Sequence, residues 1–93
     1  MDQQLISAIS LVKASKYRQH IVMMLHNTIF TPAEIQQKLD IRINHVSLYL
    51  KELKEANIVI CLNEDTKKGR LYTLSDLGNE LYGYITSSNN HDE

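Results

Sequence analysis

One pair of short extended segments in an otherwise helical sequence most restricts the fold. Residues 58–62 (Ile-Val-Ile-Cys-Leu) are apolar and largely β-branched, which predicts a strand. Residues 70–74 predict a returning strand, and the polar residues 63–69 predict the tip of a hairpin. A lone hairpin is marginally stable in water, so we expect this one to pack against the helices that the rest of the chain encodes.

Apolar residues recur at helical spacing in both halves of the chain. A wide stripe predicts a first helix, with Leu5, Ile6, Ala8, Ile9, Leu11 and Val12. The pattern continues through Tyr17, Ile21, Met24 and Leu25, in a second helix or in a bent continuation of the first. After the hairpin, Ser75 predicts the N-cap of a last helix that carries Leu77, Leu81 and Ile85.

The segment Thr31-Pro32-Ala33-Glu34 is the sharpest local signal. Thr31 is a suitable N-cap, and Pro32 fits the first helical position, where a missing N–H costs nothing. Glu34 lies three residues after Thr31 and completes a capping box. We therefore predict a short helix that runs to about Lys38, with Ile35 facing inward.

A longer helix follows a turn at residues 40–42. Val46, Tyr49, Leu50 and Leu53 share one apolar face because they lie at i, i+3, i+4 and i+7. This periodicity favours a core position for Tyr49 over an exposed one. Asn57 can adopt the left-handed geometry that ends a helix.

The predicted order is therefore helix-helix-helix-helix-strand-strand-helix, a mainly α protein with a small β-hairpin (α+β). The 93 residues fit a single domain over residues 1–86, and the polar residues 87–93 predict a flexible tail. One Cys excludes an internal disulfide framework. No apolar run has the length of a membrane span and no secretory signal is visible, so we expect a soluble cytoplasmic protein.

The net charge of −1 conceals an uneven distribution. All ten Lys and Arg lie between Lys13 and Arg70 with six acidic residues, which gives this window a charge of +4. A basic centre between acidic ends can face a phosphate backbone, although a solvated surface of mixed charge explains the distribution equally well.

Two helices joined by a short turn and followed directly by a hairpin make a winged helix-turn-helix. The segments that carry the pattern are 31–35 (Thr-Pro-Ala-Glu-Ile), 45–53 (His-Val-Ser-Leu-Tyr-Leu-Lys-Glu-Leu) and 67–75 (Lys-Lys-Gly-Arg-Leu-Tyr-Thr-Leu-Ser). Over about residues 15–85 the chain resembles the small winged-helix transcriptional regulators common in archaea, which are similar to the MarR and ArsR types of bacterial regulator.

The resemblance implies a role for each element. The helix that begins near Ile43 corresponds to the recognition helix, residues 63–69 correspond to the wing, and the first and last helices correspond to those that build a homodimer. Two positions depart from the family pattern. Arg42 stands where the family often has Ser or Thr, which leaves the helix cap open and places a cation where it can reach a phosphate. Asn57 stands where Gly is common.

A recognition helix contacts base edges in the major groove with side chains near its N-terminus. Asn44 can pair with adenine, His45 and Ser47 can donate or accept, and Leu48 can contact a thymine methyl group. Lys51 is placed to meet a phosphate. The alternative is that these five residues simply form the solvated face of a helix.

The predicted wing carries Lys67 and Lys68, with Arg70 at its exit. Lysines can neutralise phosphates, and an arginine can enter a narrow, electronegative minor groove. The acidic residues Glu64 and Asp65 reduce the local charge to +1, so a loop that only keeps the hairpin soluble is the alternative. The sequence assigns no role to three further cations, Lys13, Lys16 and Arg18.

The wide stripe of the first helix exceeds what one small core needs, which favours a homodimer. We expect the dimer interface to contain Leu5, Ile6, Ile9, Val12, Leu81, Tyr84 and Ile85. The same residues could instead close the core of a monomer. A two-fold dimer favours a pseudo-palindromic double-stranded operator with half-sites about one helical turn apart.

Other function classes find little support. Cys61 and the scattered residues His20, His26, His45 and His91 show no metal-ligand spacing. No catalytic constellation or phosphate-binding glycine motif occurs, so we expect a non-enzyme without a cofactor. The hypothesis is thus a sequence-specific DNA-binding regulator, to which an unidentified small-molecule effector could bind. The alternative is a winged-helix protein-interaction module without DNA binding, whose affinity would respond weakly to salt.

Overall fold

The predicted order of elements is confirmed in a computed structural model, which describes the backbone of residues 2–90 and the side chains of residues 2–87. The elements in that part of the chain are α1 (Gln3–Lys13), α2 (Lys16–Leu25), α3 (Pro32–Leu39), α4 (Ile43–Glu55), β1 (Val59–Cys61), β2 (Tyr72–Leu74) and α5 (Asp76–Asn90). The tail predicted at 87–93 overlaps the end of α5, and 91–93 lie outside the described residues.

Separate caps divide the N-terminal apolar pattern into two helices. The Asp2 carboxylate accepts a hydrogen bond from the Gln4 N–H at 3.2 Å and begins α1. Ser15 then begins α2, because its extended backbone lets Oγ accept from the N–H of Arg18 at 3.4 Å. The second helix is therefore a new element and not a bent continuation of the first.

The predicted capping box at the start of α3 is confirmed. The Thr31 N–H donates to the Glu34 carboxylate at 2.8 Å, and the Glu34 N–H donates to Thr31 Oγ1 at 3.2 Å. Ile35 is fully buried beneath this first turn. At the other end Asp40 adopts the left-handed conformation (φ 54°), and its N–H donates to the carbonyl of Gln36. This geometry turns the chain into α4.

The hairpin is shorter than the sequence predicts. β1 and β2 pair antiparallel over three residues each, with Ile60 opposite Thr73. Beyond the ladder the Leu62 N–H still donates to the Leu71 carbonyl at 2.8 Å, but Asn63 Oδ1 then takes the Leu71 N–H at 2.8 Å. A side chain thus replaces the backbone partner, and the regular strands end there.

Phe30 supplies a third extended partner that the sequence analysis did not predict. Its N–H donates to the Tyr72 carbonyl at 3.1 Å, and the Tyr72 N–H donates back to the Phe30 carbonyl at 2.9 Å. Thr73 Oγ1 also donates to the Thr28 carbonyl at 2.7 Å. β2 therefore has β1 on one side and the segment around Phe30 on the other. This second partner supports an otherwise marginal hairpin.

Side chains from every helix and both strands contribute to one apolar core. Its buried members are Leu5, Ala8, Val12, Ile21, Val22, Leu25, Ile35, Val46, Leu50, Leu53, Ile58, Val59, Tyr72, Leu74, Leu81 and Ile85. The helices α1 and α5 pack against each other, as do α3 and α4. None of the helices in the described part of the chain has the length and hydropathy that crossing a bilayer requires.

Candidate nucleic-acid interface

The fold holds α4 by one face and leaves the opposite face in solvent. Val46, Leu50 and Leu53 are buried against the core, as the periodicity predicts. The predicted contact residues of the helix are all exposed on its surface, namely Asn44, His45, Ser47, Leu48 and Lys51. Tyr49 is half-buried, and its ring centroid lies 5.9 Å from that of Tyr17. Tyr49 therefore packs against the core, as predicted, but is not one of its buried members.

An ion pair anchors α4 to α2. The Arg18 Nε and Nη2 donate to the same Glu52 carboxylate oxygen at 3.1 and 3.0 Å, and Nη1 donates to the Leu11 carbonyl at 3.0 Å. The Nε, Nη1 and Nη2 atoms of Arg18 thus all donate to groups within the subunit. Through these bonds Arg18 joins α2 both to α4 and to the carbonyl of Leu11 in α1.

Arg42 begins α4 without capping it through its side chain. Its backbone is extended (φ −69°, ψ 146°), and its carbonyl accepts from the N–H groups of His45 and Val46 at 3.0 and 3.2 Å. Within the described residues its guanidinium makes no capping hydrogen bond. The exposed Arg42 thus lies at the N-terminus of α4, where the free backbone N–H groups and the positive end of the helix dipole also favour an anion.

A groove runs between α4, the hairpin and the start of α3, and its volume is about 410 Å³. We call it the basic groove; its lining residues are Pro32, Ser47, Leu50, Lys51, Lys54, Lys67, Arg70 and Tyr72. The structure thus brings Lys51 of the helix to the same groove as Lys67 and Arg70 of the hairpin, although they are far apart in sequence. Lys68 is exposed on the wing (residues 63–69) outside this lining.

Lys54 is a groove residue that the sequence analysis missed. It lies three residues after Lys51, so helical spacing alone places the two on one side of α4. Its ammonium forms an ion pair with the Glu64 carboxylate of the wing. The hydrogen bond raises the pKa of Lys54 above its ordinary value and lowers the pKa of Glu64. This pair links the helix to the wing at the surface.

The side chain of Arg70 holds the wing in shape by hydrogen bonds to its backbone carbonyls. Its Nε donates to the Thr66 carbonyl at 2.7 Å, and Nη2 donates to the Glu64 carbonyl at 3.4 Å. Asn63 closes the base of the same loop by donating to the Gly69 carbonyl at 3.2 Å. The sequence predicts that Arg70 contacts DNA, whereas in the structure this half-buried residue donates to carbonyls of its own loop.

The residues predicted for a dimer interface divide into two groups. Leu5, Val12, Leu81 and Ile85 are buried in the subunit itself, at 2, 0, 0 and 1 % exposure. Ile6 and Tyr84 are exposed at 46 and 44 %, and Ile9 is half-buried. Of the seven residues predicted for the interface, then, Ile6, Ile9 and Tyr84 retain surface that a second subunit could cover.

The cysteine and histidines occupy separate places in the fold. Cys61 is half-buried in β1, and its thiol donates to Asn63 Oδ1 at 3.5 Å. The His26 ring stacks on Tyr82 of α5 with centroids 3.7 Å apart. Across the part of the chain that the structure describes, no three His, Cys, Asp or Glu side chains come together as a metal site.

Comparison with known proteins supports the fold assignment. No protein-family model matches the chain, and no curated protein matches it by sequence. Among solved structures, HlyU from Vibrio cholerae is similar with a TM-score of 0.73 and 20 % identity, over 92 % of this chain and 91 % of that one. The adhesin competence repressor AdcR from Streptococcus pyogenes matches with a TM-score of 0.72 and 17 % identity, over 95 % of this chain and 69 % of that one.

A third similar structure is the C30AH42A mutant of ZitR from Lactococcus lactis, with a TM-score of 0.70 and 23 % identity. The match covers 78 % of this chain and 51 % of ZitR, so the present chain corresponds to about half of that protein. All three neighbours are winged-helix proteins from bacteria. The chain therefore has the winged helix-turn-helix fold, as its sequence predicts, while the archaeal part of the resemblance finds no counterpart among these three.

Proposed function

We propose that this protein is a sequence-specific DNA-binding transcriptional regulator that acts as a homodimer. The helix α4 enters the major groove, and the wing contacts the adjacent minor groove or backbone. Support comes from the fold, because the similar winged-helix structures belong to transcriptional regulators of the ArsR and MarR kinds. A fold alone does not determine function, and the surface that this chain presents supplies the further support.

The carrying observation is the continuity of the exposed face of α4 with the basic groove. Asn44, Ser47 and Lys51 are all exposed on α4, and Ser47 and Lys51 line the groove together with Lys67 of the wing. Polar side chains suited to base edges thus lie next to cations suited to phosphates. This is the arrangement that a helix seated in the major groove, beside a phosphate backbone, requires.

The expected salt dependence follows from the number of exposed cations. Arg42, Lys51, Lys67 and Lys68 are exposed on α4 and the wing of each subunit. If each neutralises one phosphate, a dimer makes about eight contacts, and its affinity falls about 10⁴-fold between 50 and 200 mM salt. A protein interface without phosphate contacts lacks this dependence.

Fluorescence anisotropy with labelled DNA from upstream of the protein's own coding region tests this proposal. A random duplex of equal length is the control, and both are titrated over a range of salt concentrations. Preference for the upstream DNA together with the steep salt dependence supports a specific regulator. Equal affinity for both duplexes indicates a nonspecific binder. Failure to bind either duplex at low salt refutes the proposal and makes the protein-interaction module the leading hypothesis.

The homodimer is proposed to form through the exposed surfaces of α1 and α5. Ile6 and Tyr84 are the large apolar side chains exposed there, and an open depression of about 330 Å³ beside Tyr84 is lined by Glu80, Gly83 and Ser87. Light scattering at micromolar concentration should give the mass of two subunits. The variant Tyr84→Lys should shift this mass toward one subunit, whereas Ile60→Lys on the hairpin should not. A wild-type mass of one subunit contradicts the dimer.

A further inference from the structure

We propose that α4 selects A·T base pairs and that Ile43 and Leu48 do so by packing on the C5 methyl groups of thymine. The inference rests on the proposed function and specifies which DNA the same site takes. Two features of the first two turns of α4 support it, namely the absence of charged side chains and the exposure of apolar ones.

The first two turns of α4, residues 43–50, contain no charged residue. In the major groove, guanine is recognised mainly by Arg or Lys, and the amino group of cytosine is recognised by Asp or Glu. Base contacts come from the N-terminal part of a recognition helix, and the nearest charged residues of this chain flank that part as Arg42 and Lys51. If both of these cations meet phosphates, the base-contacting turns carry no Arg, Lys, Asp or Glu, the side chains that most favour a G·C pair, and His45 is their one side chain that can take up a positive charge.

The same two turns expose the groups that favour an A·T pair. Ile43 and Leu48 are large apolar side chains that are nevertheless 44 and 51 % exposed. Asn44 precedes Leu48 by four residues, so the two are neighbours on the helix surface. Asn pairs with the N6 and N7 atoms of adenine, and an apolar side chain contacts the thymine methyl group. Together they match both halves of one A·T pair or of two adjacent ones.

Ser47 completes the pattern without opposing it. It follows Ile43 by four residues and forms a second pair of polar and apolar neighbours on the exposed face. A hydroxyl donates or accepts with any base, so Ser47 adds a hydrogen bond but no preference. The preference of the helix therefore comes from Asn44 and from the two exposed apolar side chains.

The first step of the test is selection of duplexes from a random-sequence library by the full chain. The selected half-sites should contain A·T pairs at the major-groove positions that the bound protein protects in a cleavage footprint. The thymines at those positions are then replaced by deoxyuridine, which removes the methyl group and leaves the hydrogen-bonding edge unchanged. We expect affinity to fall about fourfold for each methyl group that is contacted.

Two alanine variants assign the effect to the helix. Leu48→Ala should bind the thymine duplex more weakly and should lose the discrimination between thymine and deoxyuridine at its contact, because the group that senses the methyl is gone. Ile60→Ala removes an isoleucine of similar exposure (42 %) from β1 and should keep the full discrimination. Both side chains are about half exposed and lie outside the buried core, so both variants should fold.

The outcomes separate this inference from the proposed function. Specific, salt-sensitive binding to selected sites that are rich in G·C pairs, or that bind equally well with deoxyuridine, overturns the methyl contact and leaves a DNA-binding regulator. A third variant, Ile43→Ala, removes the other proposed methyl contact, and discrimination that persists both in it and in Leu48→Ala also overturns the inference. Selection of no duplex at all overturns the proposed function and this inference together.

Discussion

Two glycines in α5 should respond in opposite directions to the same substitution. A Cβ at Gly78 would lie inside the van der Waals contact distance of the Ile58 carbonyl oxygen, 3.2 Å from the Ile58 carbonyl carbon and 3.1 Å from Leu74 Cβ. A Cβ at Gly83 would meet no atom of the described residues within 4 Å. Gly78 therefore permits α5 to approach the hairpin closely, whereas Gly83, which lines the depression on the proposed dimer surface, has room for a Cβ within the subunit.

The magnitudes follow from these surroundings. At Gly83, alanine improves helix propensity by about 1 kcal/mol without a steric cost within the subunit. At Gly78 the same gain is offset by overpacking, which typically costs about 1–3 kcal/mol and more against backbone than against a flexible side chain. We expect Gly78→Ala to lower the free energy of unfolding by about 2 kcal/mol and Gly83→Ala to raise it by about 1 kcal/mol.

Thermal unfolding followed by circular dichroism measures both changes at one protein concentration, because a dimer makes Tm concentration-dependent. For a domain of this size, about 1 kcal/mol shifts Tm by about 4–8 °C. Gly83→Ala should therefore melt higher and Gly78→Ala clearly lower than the wild type. If both variants melt higher, α5 does not approach Ile58 as closely as described, and the packing argument fails.

Three further perturbations test the interface and its supports. In anisotropy titrations, Arg70→Ala should weaken DNA binding by up to about tenfold more than Lys68→Ala, because Arg70→Ala removes one cation and also the hydrogen bonds to the wing carbonyls. Equal losses of affinity in the two variants would contradict the role of Arg70 in holding the wing. Glu64→Gln should tighten DNA binding, because it releases Lys54 from its ion pair and lets it meet a phosphate. The slope of log affinity against log salt concentration should then steepen by about 0.9 per subunit, and an unchanged slope would refute this. Asn57→Ala should lower the free energy of unfolding by about 1–2 kcal/mol in urea titrations because Asn57 has φ 64°, whereas Asn57→Gly should not.

Features that depend on neighbouring residues were predictable from the sequence. The capping box of Thr31 and Glu34 needs only two side chains three residues apart, and it forms as predicted. Ser75 Oγ accepts from the Gly78 N–H at 3.0 Å, and Asn57 ends α4 in the left-handed conformation. Each of these local choices agrees with the global fold, which is why the order of elements could be derived.

Features that depend on residues far apart in sequence were not predictable. The isolated segment around Phe30 has no strand pattern, yet it pairs with Tyr72 because the turn before α3 passes beside β2. The pairing of Lys54 with Glu64 likewise joins α4 to the wing, and the sequence shows only two charges of opposite sign. Periodicity identifies which face of an element is apolar, but it does not identify the partner of that face.

The division of the apolar stripe on α1 and α5 illustrates the same limit with a functional consequence. Spacing alone treats Leu5 and Ile6 alike, although the fold buries one and exposes the other. A monomer core accounts fully for Leu5, Val12, Leu81 and Ile85, so their apolar character is no argument for a second subunit. The case for a dimer then rests on Ile6 and Tyr84, large apolar side chains that the subunit leaves in water on two helices packed against each other. Substitutions at these two positions, and not in the buried set, can separate assembly from folding.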